Sequence, residues 1–408
     1  MNRFLIGFCK LLAVVGLFVL VAVLIFSPRW AARPEDVRVA APTPLPTPVA
    51  APTAEAPAEA ALPAAAVPEP TPAPTPAPTP EPTATPEPEP TPIVYTISLV
   101  GDCTLASYPK IRNWETSIEN VVNGNWAYPF SHTAELFRQD DLTLANLECS
   151  ISDQQAWSAS TFSFLAPSDA VNILTEGGVE YAGMANNHAM DFGQAIYDDT
   201  AANLDAAGIA HGGDGEGVLV TTESGLTVGI YTAYSGHYPS AESVAAGVTD
   251  LKNRGAEIVI VYAHWGDEAS YYTNANQTAA AHAAIDAGAT IVAGHGPHRL
   301  QPYEEYGGGV IFYSLANFVF GGNTQPEDMD TVIAQVQITR ELDGTLHLSG
   351  AKALPASISS QSPLNDYCPT LWEQGSAEYD RAMSKVDGSW NGANSNIDYS
   401  FMHTHEIK

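Results

Sequence analysis

Basic side chains are scarce in this chain of 408 residues. It has 16 lysines and arginines against 46 aspartates and glutamates, which gives a formal net charge of −30. Nucleic-acid binding depends largely on Lys and Arg that neutralise phosphates, so the composition excludes nucleic acid as a partner. An anionic ligand needs another source of positive charge, and a bound divalent cation can supply it locally.

Cysteines are also few, with four in the chain and neither a CxxC pair nor a zinc-ribbon spacing among them. Cys9 lies in an apolar N-terminal run, apart from the other three. We expect Cys103, Cys149 and Cys368 to be buried free thiols. A disulfide between Cys103 and Cys149 stays open as the alternative, because each lies at the end of a predicted strand.

One apolar run, residues 4–26, is about as long as a bilayer requires, and Lys10 is the charged residue in it. A cleaved signal peptide is the rival interpretation. The run exceeds a usual signal-peptide core, however, and only a poor cleavage site follows it. The sequence therefore favours a single-pass signal anchor within residues 1–39, with the remaining chain on the cell-wall side of the cell membrane.

Residues 40–92 consist almost entirely of Pro, Ala, Thr and Glu. Dense proline removes backbone donors and fixes φ, so this segment cannot form a helical or sheet core. We expect a disordered, extended linker of about 3.1 Å per residue and on the order of 150 Å in length. Such a stalk suits a domain that is carried through a cell wall.

A different pattern runs from residue 93 to about 359. Short apolar runs rich in Val and Ile alternate with amphipathic segments, which is typical of an α/β domain whose strands are covered on both faces. The predicted strands are 93–100, 142–147, 179–185, 226–232, 257–263, 290–293, 309–314 and 332–338. The predicted helices are 132–138, 168–176, 194–207, 241–254 and 276–287. Residues 360–408 are predicted to be an irregular tail.

Polar side chains stand where five of these strands end. They are Asp102, then Glu148, then Asn187, His188 and Asp191, then His264, and finally His295 and His298. Each alone has an ordinary explanation, such as a turn, a helix cap or a packed histidine. Ligands bind at the carboxyl ends of strands in open α/β sheets, so their coincidence at five strand ends predicts a site.

Imidazole, carboxylate and amide groups together suit a transition metal or a mixed nitrogen and oxygen site. Two metals about 3.5–4 Å apart can clamp a phosphoryl group and activate water at neutral pH. We therefore expect divalent ions, two in number, with Mn, Fe, Zn and Mg as candidates. His211 and His237 follow other predicted strands and could line the same cleft, but the sequence gives no further reason to include them.

Six segments between residues 93 and 359 read as motifs, namely VGDCTLA, LANLECSIS, GMANNHAMDFG, YAHWGDE, AGHGPHRLQP and YSLANFVFG. In this order they resemble the CapA family of capsule or poly-γ-glutamate biosynthesis proteins, within the calcineurin-like metallophosphatase superfamily. The resemblance implies a metallophosphatase-like β-sandwich flanked by helices, in αββα layers, with the site at one sheet edge. It also implies polymer-synthase membrane subunits as partners.

The resemblance further implies roles for the residues at the strand ends. The implied metal ligands are Asp102, Glu148, Asn187, His264, His295 and His298. Glu148 takes the place of the metal-bridging carboxylate. The implied catalytic residues are His188, as a general acid or phosphate contact near the leaving group, and Asp191.

The sequence also departs from these patterns. The first motif reads Asp102-Cys103-Thr104 in place of Asp-x-His, so one imidazole ligand is missing. The second motif ends in Glu148 where the superfamily has an aspartate. Both departures look shared with the CapA family itself. Ala316 stands where the family has a glycine, which predicts a modest adjustment of packing.

Two functions stay open at this point. The first is a metal-dependent hydrolase or transferase that acts outside the membrane on a phosphoester or on the γ-glutamyl polymer. The second is a non-catalytic accessory subunit whose metal site holds or guides an anionic polymer during export, which the missing histidine favours. A purely structural wall-spanning protein explains the stalk but leaves the polar strand ends unaccounted for.

Overall fold

The computed structural model describes residues 90–394 and the backbone of Val37–Arg38. The predicted anchor, nearly all of the predicted linker and residues 395–408 lie outside the described residues. Within the range 90–394, none of the helices is both long enough and apolar enough to cross a membrane.

The described strands belong to two large sheets and one small pair. They are β1 Val37–Arg38, β2 Ile93–Thr104, β3 Leu142–Leu147, β4 Ser150–Ile151, β5 Leu165–Ala166, β6 Tyr181–Gly183, β7 Ala210–Gly212, β8 Gly217–Thr221, β9 Thr227–Ala233, β10 Ile258–His264, β11 Ile291–His295, β12 Leu300–Tyr306, β13 Gly309–Leu315, β14 Asn317–Phe320, β15 Asp330–Arg340, β16 Leu346–Ser357 and β17 Thr370–Leu371. The described α-helices are α1 Ile118–Val122, α2 Ala134–Phe137, α3 Asn172–Gly177, α4 Gln194–Ala207, α5 Ala241–Asn253, α6 Ala275–Asp286 and α7 Ala377–Val386.

The first sheet has the order β1-β8-β9-β10-β11-β13-β12, and the second has the order β17-β16-β15-β2-β3-β6-β7, with β14 beside β2. Strands β9, β10, β11 and β13 are parallel to one another, and so are β2, β3, β6 and β7. Within each sheet, the carboxyl ends of these strands therefore meet at one edge.

The two sheets pack face to face, and helices cover their outer faces. Tyr95, Ile97 and Leu99 of β2 share a buried cluster with Ile258 and Ile260 of β10. A second cluster joins the outer face of the second sheet to α3 and α4, and a third joins the first sheet to α5 and α6. The predicted mixed α/β fold is confirmed, and its layers run helix, sheet, sheet, helix.

Every predicted strand and helix has a counterpart, with shifts at the ends. All seven residues of β10 are buried, as expected for a Val and Ile run covered on both faces. Helix α6 begins with a capping box formed by Asn274 and Gln277. The described strands that the pattern did not predict are short or lie toward a sheet edge, namely β1, β4, β5, β7, β8, β12, β14, β16 and β17.

The segment after residue 359 is not irregular throughout, which corrects the prediction for its described part. It forms β17 and α7. Lys385 of α7 is 2% exposed, and its Nζ lies 2.7 Å from both Asp328 Oδ2 and Asp330 Oδ2. Arg381 makes two more hydrogen bonds to Asp330. This ion-paired helix has a polar composition, so a hydrophobic pattern does not reveal it.

The described cysteines are all unpaired. Cys103, Cys149 and Cys368 are buried thiols, as expected, and the alternative disulfide between Cys103 and Cys149 is not formed.

Replacing Lys385 by methionine is expected to lower the free energy of unfolding by about 3–5 kcal/mol, because the buried Asp328 and Asp330 lose the cation that they share. Urea or thermal unfolding measures the change. The matched control is Lys352→Met on β16, where Lys352 is exposed and a change within about 0.5 kcal/mol is expected. Equal stability of the two variants would contradict the anchoring of α7 by this ion pair.

Candidate metal centre

The carboxyl edges of the two sheets converge on one cluster of polar side chains. Asp102 lies in β2 of the second sheet, whereas His264 and His295 end β10 and β11 of the first. Glu148 follows β3, and His298 lies in the turn between β11 and β12. Parallel strands from both sheets thus deliver their terminal residues to the same place.

The ligand atoms fall into two groups that share one carboxylate. The first group is Asp102, His264 and His295, and the second is Asp102, Glu148 and His298. Within each group the atoms all lie within 4.8 Å of one another. Asp102 is therefore the shared residue, whereas the resemblance gives the bridging position to Glu148.

Several separations within and between these groups are too long for hydrogen bonds. His264 Nε2 and His298 Nε2 each lie 3.8 Å from Glu148 Oε1, and His264 Nδ1 lies 3.6 Å from Asp102 Oδ1. Ligands bound at about 2.0–2.2 Å around a tetrahedral ion lie about 3.3–3.6 Å apart. His295 Nδ1 and His298 Nδ1 are closer, at 3.1 Å from the oxygens of Asp102.

Buried polar atoms that lack a partner mark the same place. Among the described residues, no hydrogen bond reaches Glu148 Oε1, Asn187 Oδ1, His264 Nε2 or His295 Nε2. A buried polar group left unpaired costs about 1–3 kcal/mol, so such groups are rare. Together these atoms offer imidazole nitrogen, carboxylate oxygen and amide oxygen, a donor set that fits divalent ions.

Hydrogen bonds orient Asp102 at both of its oxygens. Asn146 Nδ2 donates to Oδ1 at 2.8 Å, and the backbone N–H of Gly296 donates to Oδ2 at 3.1 Å. Asn146 is oriented in turn, because Asn186 Nδ2 donates to its Oδ1 at 3.0 Å. Outer partners of this kind fix the position of a ligand and tune its basicity.

The other two ligands of the second group also have supporting partners. His298 Nδ1 lies 2.8 Å from Asn317 Oδ1, and Thr104 Oγ1 donates to Glu148 Oε2 at 3.2 Å. The sequence analysis did not assign a role to Asn317. The sequence nevertheless contained an indication of this role. Asn317 follows β13 within the motif YSLANFVFG and is therefore one more polar residue near a strand end.

The carboxylates and histidines strongly shift one another's pKa values. Burial alone would raise the pKa of Asp102, but the surrounding histidines hold it well below its usual range. Burial and the charge of Asp102 raise the pKa of Glu148 to about 7. Burial lowers the pKa of His264 to about 3, whereas in His298 the nearby Glu148 and Asp102 outweigh burial and raise the pKa to about 10. A divalent cation would relieve the repulsion between the two carboxylates.

His188 and Asp191 form a hydrogen-bonded pair beside these groups. His188 Nδ1 lies 2.9 Å from Asp191 Oδ2, which also accepts from the backbone N–H of Phe164 at 3.2 Å. The ring of Phe164 packs edge-on against His188, with 4.7 Å between centroids. Burial would lower the pKa of His188, but its bond to Asp191 and the charge of Glu148 raise it.

A cleft of about 1230 Å³ opens from this cluster. Its lining at the cluster includes Glu148, Asn187, His188 and His298, and further along it includes Arg299, Trp372, Arg381, Lys385 and Trp390. With the two metal groups and the His188–Asp191 pair, the structure thus brings all eight predicted site residues together. The cleft is larger than a single phosphate requires.

Ala316 meets the site through its backbone. Its carbonyl accepts a hydrogen bond from the N–H of Asp102 at 3.0 Å, and a Cβ on Gly101 would lie 1.7 Å from the same oxygen. The φ of Ala316 is 62°, in the left-handed region. The alanine therefore introduces backbone strain where glycine would have none, rather than the adjustment of packing that the sequence predicts.

The sequence of this chain is similar to the sequences of known proteins. The PGA biosynthesis protein CapA of Bacillus subtilis (strain 168) is 28% identical over 295 residues, which cover 66% of this chain and 75% of that protein. A probable polyglutamine synthesis accessory protein of Mycobacterium tuberculosis (strain ATCC 25618 / H37Rv) is 31% identical over 229 residues, covering 48% of this chain and 60% of that protein.

Among solved structures, a hypothetical protein from Thermus thermophilus matches with a TM-score of 0.41 and 12% identity, covering 64% of this chain and 98% of that one. The sequence profile of the bacterial capsule synthesis protein PGA_cap matches residues 96–322, which contain all eight residues of the predicted site. The chain therefore belongs to the PGA_cap family of bacterial capsule synthesis proteins.

Proposed function

We propose that this chain is a membrane-anchored enzyme of capsule or poly-γ-glutamate biosynthesis that uses two divalent ions for hydrolysis or transfer. Its substrate is a phosphoester or the γ-glutamyl polymer, outside the cell membrane. The observation that carries the proposal is the pair of ligand groups joined by Asp102, together with buried nitrogen and oxygen atoms that have no hydrogen-bond partner among the described residues. The apolar run 4–26 and the linker 40–92 support the anchor.

The residues that would hold the ions follow from the two groups. Asp102, His264 and His295 would hold one ion, and Asp102, Glu148 and His298 the other, with Asn187 offering its amide oxygen to the same centre. Mn, Fe, Zn and Mg remain the candidates. When bound, such ions polarise a phosphoryl or carbonyl oxygen and make water a better nucleophile near neutral pH.

His188 is suited to hold and donate a proton. Its Nδ1 is engaged by Asp191, so the imidazole keeps one orientation at the wall of the cleft. A histidine held by a carboxylate in this way can protonate a leaving oxygen from its other nitrogen, and general acid catalysis contributes about 10²–10⁴-fold. Asp191 acts through His188 and is a positioning residue.

The cleft favours a long substrate over a small one. It continues from the ligands to Arg299, Arg381 and Lys385, three basic residues in a chain with few of them. Because Asp328 and Asp330 neutralise part of this charge, attraction of an anionic polymer depends mainly on the bound ions. Polymer binding should therefore disappear with excess chelator and should not return when salt is lowered.

An accessory role without catalysis is the second candidate. The observation that favours it is Thr104, which occupies the first-motif position of the missing histidine and donates to Glu148 instead. The relatives include a probable polyglutamine synthesis accessory protein, whose name fits this role. Polymer-synthase membrane subunits are partners under either function. The enzymatic and the accessory function are distinguished by whether the metal-loaded chain turns over a substrate.

The full chain is expected to bind divalent ions, and the double variant His264→Ala/His298→Ala is expected to lose them, because it removes one ligand from each group. Metal analysis after reconstitution with Mn, Zn and Fe measures the content. At an ion concentration about 100 times Kd, binding adds about 2.7 kcal/mol of stability, so chelation should lower the Tm. The matched control His282→Ala/His347→Ala lies outside both groups and should keep its ions. An unaltered chain without metal would contradict the centre.

Replacing His188 by glutamine is expected to lower hydrolysis of a generic phosphodiester by about 10²–10⁴-fold while the metal content stays unchanged. The control His282→Gln alters a histidine that hydrogen-bonds Glu304 and stacks on Tyr306, and it should keep full activity. If the metal-loaded chain shows no hydrolysis but binds polymer in a chelator-sensitive way, the accessory function is the better account. Full activity of His188→Gln would contradict the role of His188.

A further inference from the structure

Three neighbouring parallel strands of the first sheet each lead to a histidine at their carboxyl end. Strands β10 and β11 end in His264 and His295, and the turn after β9 contains His237. The ring centroids of His237 and His264 are 5.4 Å apart, and those of His264 and His295 are 5.1 Å apart. His237 thus continues a row of imidazoles whose other two members belong to the first ligand group.

The turn that contains His237 is strained and firmly held. Ser235, Gly236 and His237 have φ values of 37°, 69° and 72°, in the left-handed region. Asp214 accepts from the backbone N–H of Ser235 at 3.0 Å, and the carbonyl of His237 accepts from the N–H of Gly266 at 3.1 Å. Strain at non-glycine residues costs on the order of 1–3 kcal/mol each and persists mainly at functional sites.

The side chain of His237 has an unmet bonding capacity. Its Nδ1 is buried, and within the described residues it has no hydrogen bond. Tyr234 packs edge-on against both His237 and His264, at 5.1 and 5.7 Å between centroids.

The first motif lacks the imidazole of a histidine, and His237 lies near enough to the first ligand group to be considered as its replacement. Thr104 stands where the superfamily resemblance expects a histidine, and its hydroxyl bonds to Glu148. Within the range 90–394 the first ligand group has one carboxylate and two histidines, and His237 lies outside the 4.8 Å within which their ligand atoms fall. A structural or catalytic transition-metal site usually has three or four protein ligands, and imidazole is a common one.

We propose that His237 is a further ligand of the ion held by Asp102, His264 and His295, and that it supplies through Nδ1 the imidazole that the first motif lacks. The inference rests on the metal centre of the proposed function. It assigns to this ion three histidines from three adjacent strands and a carboxylate from the opposite sheet. Binding of the ion would draw His237, whose ring already lies beside that of His264, toward the first ligand group.

The test is a titration of the full chain with Co²⁺, comparing His237→Gly with the control Ser235→Gly. Glycine adopts the left-handed backbone conformation without strain, so both variants relieve strain in the same turn. Only Ser235→Gly keeps the imidazole of His237. His237→Gly should bind one of two ions at least about tenfold more weakly, since even outer partners of ligands are worth about 10–100-fold. The visible spectrum of bound Co²⁺ should change, and added imidazole should restore both properties. Ser235→Gly should match the unaltered chain.

The outcomes separate this inference from the proposed function. If His237→Gly keeps both Co²⁺ affinities and the spectrum of the unaltered chain, His237 is not a ligand and the two-group centre stands. If the unaltered chain binds no Co²⁺ and no other divalent ion, both proposals are overturned. Should His237→Gly fail to fold, His237→Asn serves instead, because asparagine tolerates the same backbone. Its affinity should fall and its spectrum should shift, and unchanged values would overturn the inference.

Discussion

Asp102 is a wholly buried carboxylate at the junction of the two sheets, and a charge in that position is sustained only by what surrounds it. Asn146 and the backbone of Gly296 donate to its oxygens, and histidines from the opposite sheet approach it to 3.1–3.6 Å. The second sheet thus contributes the negative charge, and the first sheet contributes imidazoles. The ends of β10 and β11 lie opposite Asp102, where their histidines compensate its charge.

The backbone beside Asp102 shows how little freedom the arrangement leaves. Gly101 has no room for a side chain because the carbonyl of Ala316 lies against it, and that carbonyl bonds to the N–H of Asp102. The link between β13 and β14 is therefore fixed against the end of β2. Asn317, one residue further on, supports His298, so the same link orients a ligand of the second group.

Much of this centre could be predicted from the sequence, because its ligands directly follow apolar strands. His264 and His295 end β10 and β11. In both sheets, polar residues lie at the carboxyl ends of the strands, as the sequence predicted. His237 could not be assigned, because it lies beyond the end of β9 and its direction depends on a left-handed turn that no periodicity reveals. Helix α7 was not predicted for a different reason. In the sequence its most buried charged residue, Lys385, looks like a surface residue, and only the structure shows its carboxylate partners. Which carboxylate is shared also depends on tertiary geometry that spacing does not contain.

The topology also determines when the centre can form. Strand β2, which carries Asp102, pairs on one side with β15 through partners such as Leu99 and Ala334, and the PGA_cap profile ends at residue 322, before β15 begins. Pairing over such a distance along the chain is slow, and here it requires that Asp330–Arg340 has already been synthesised. Strand β2 therefore completes its pairing only after every residue of the two ligand groups has been synthesised. If ions bind these groups as proposed, the metals available where folding is completed would help to decide which ion is held, because selectivity in vivo depends on metal availability as well as on ligand type and geometry.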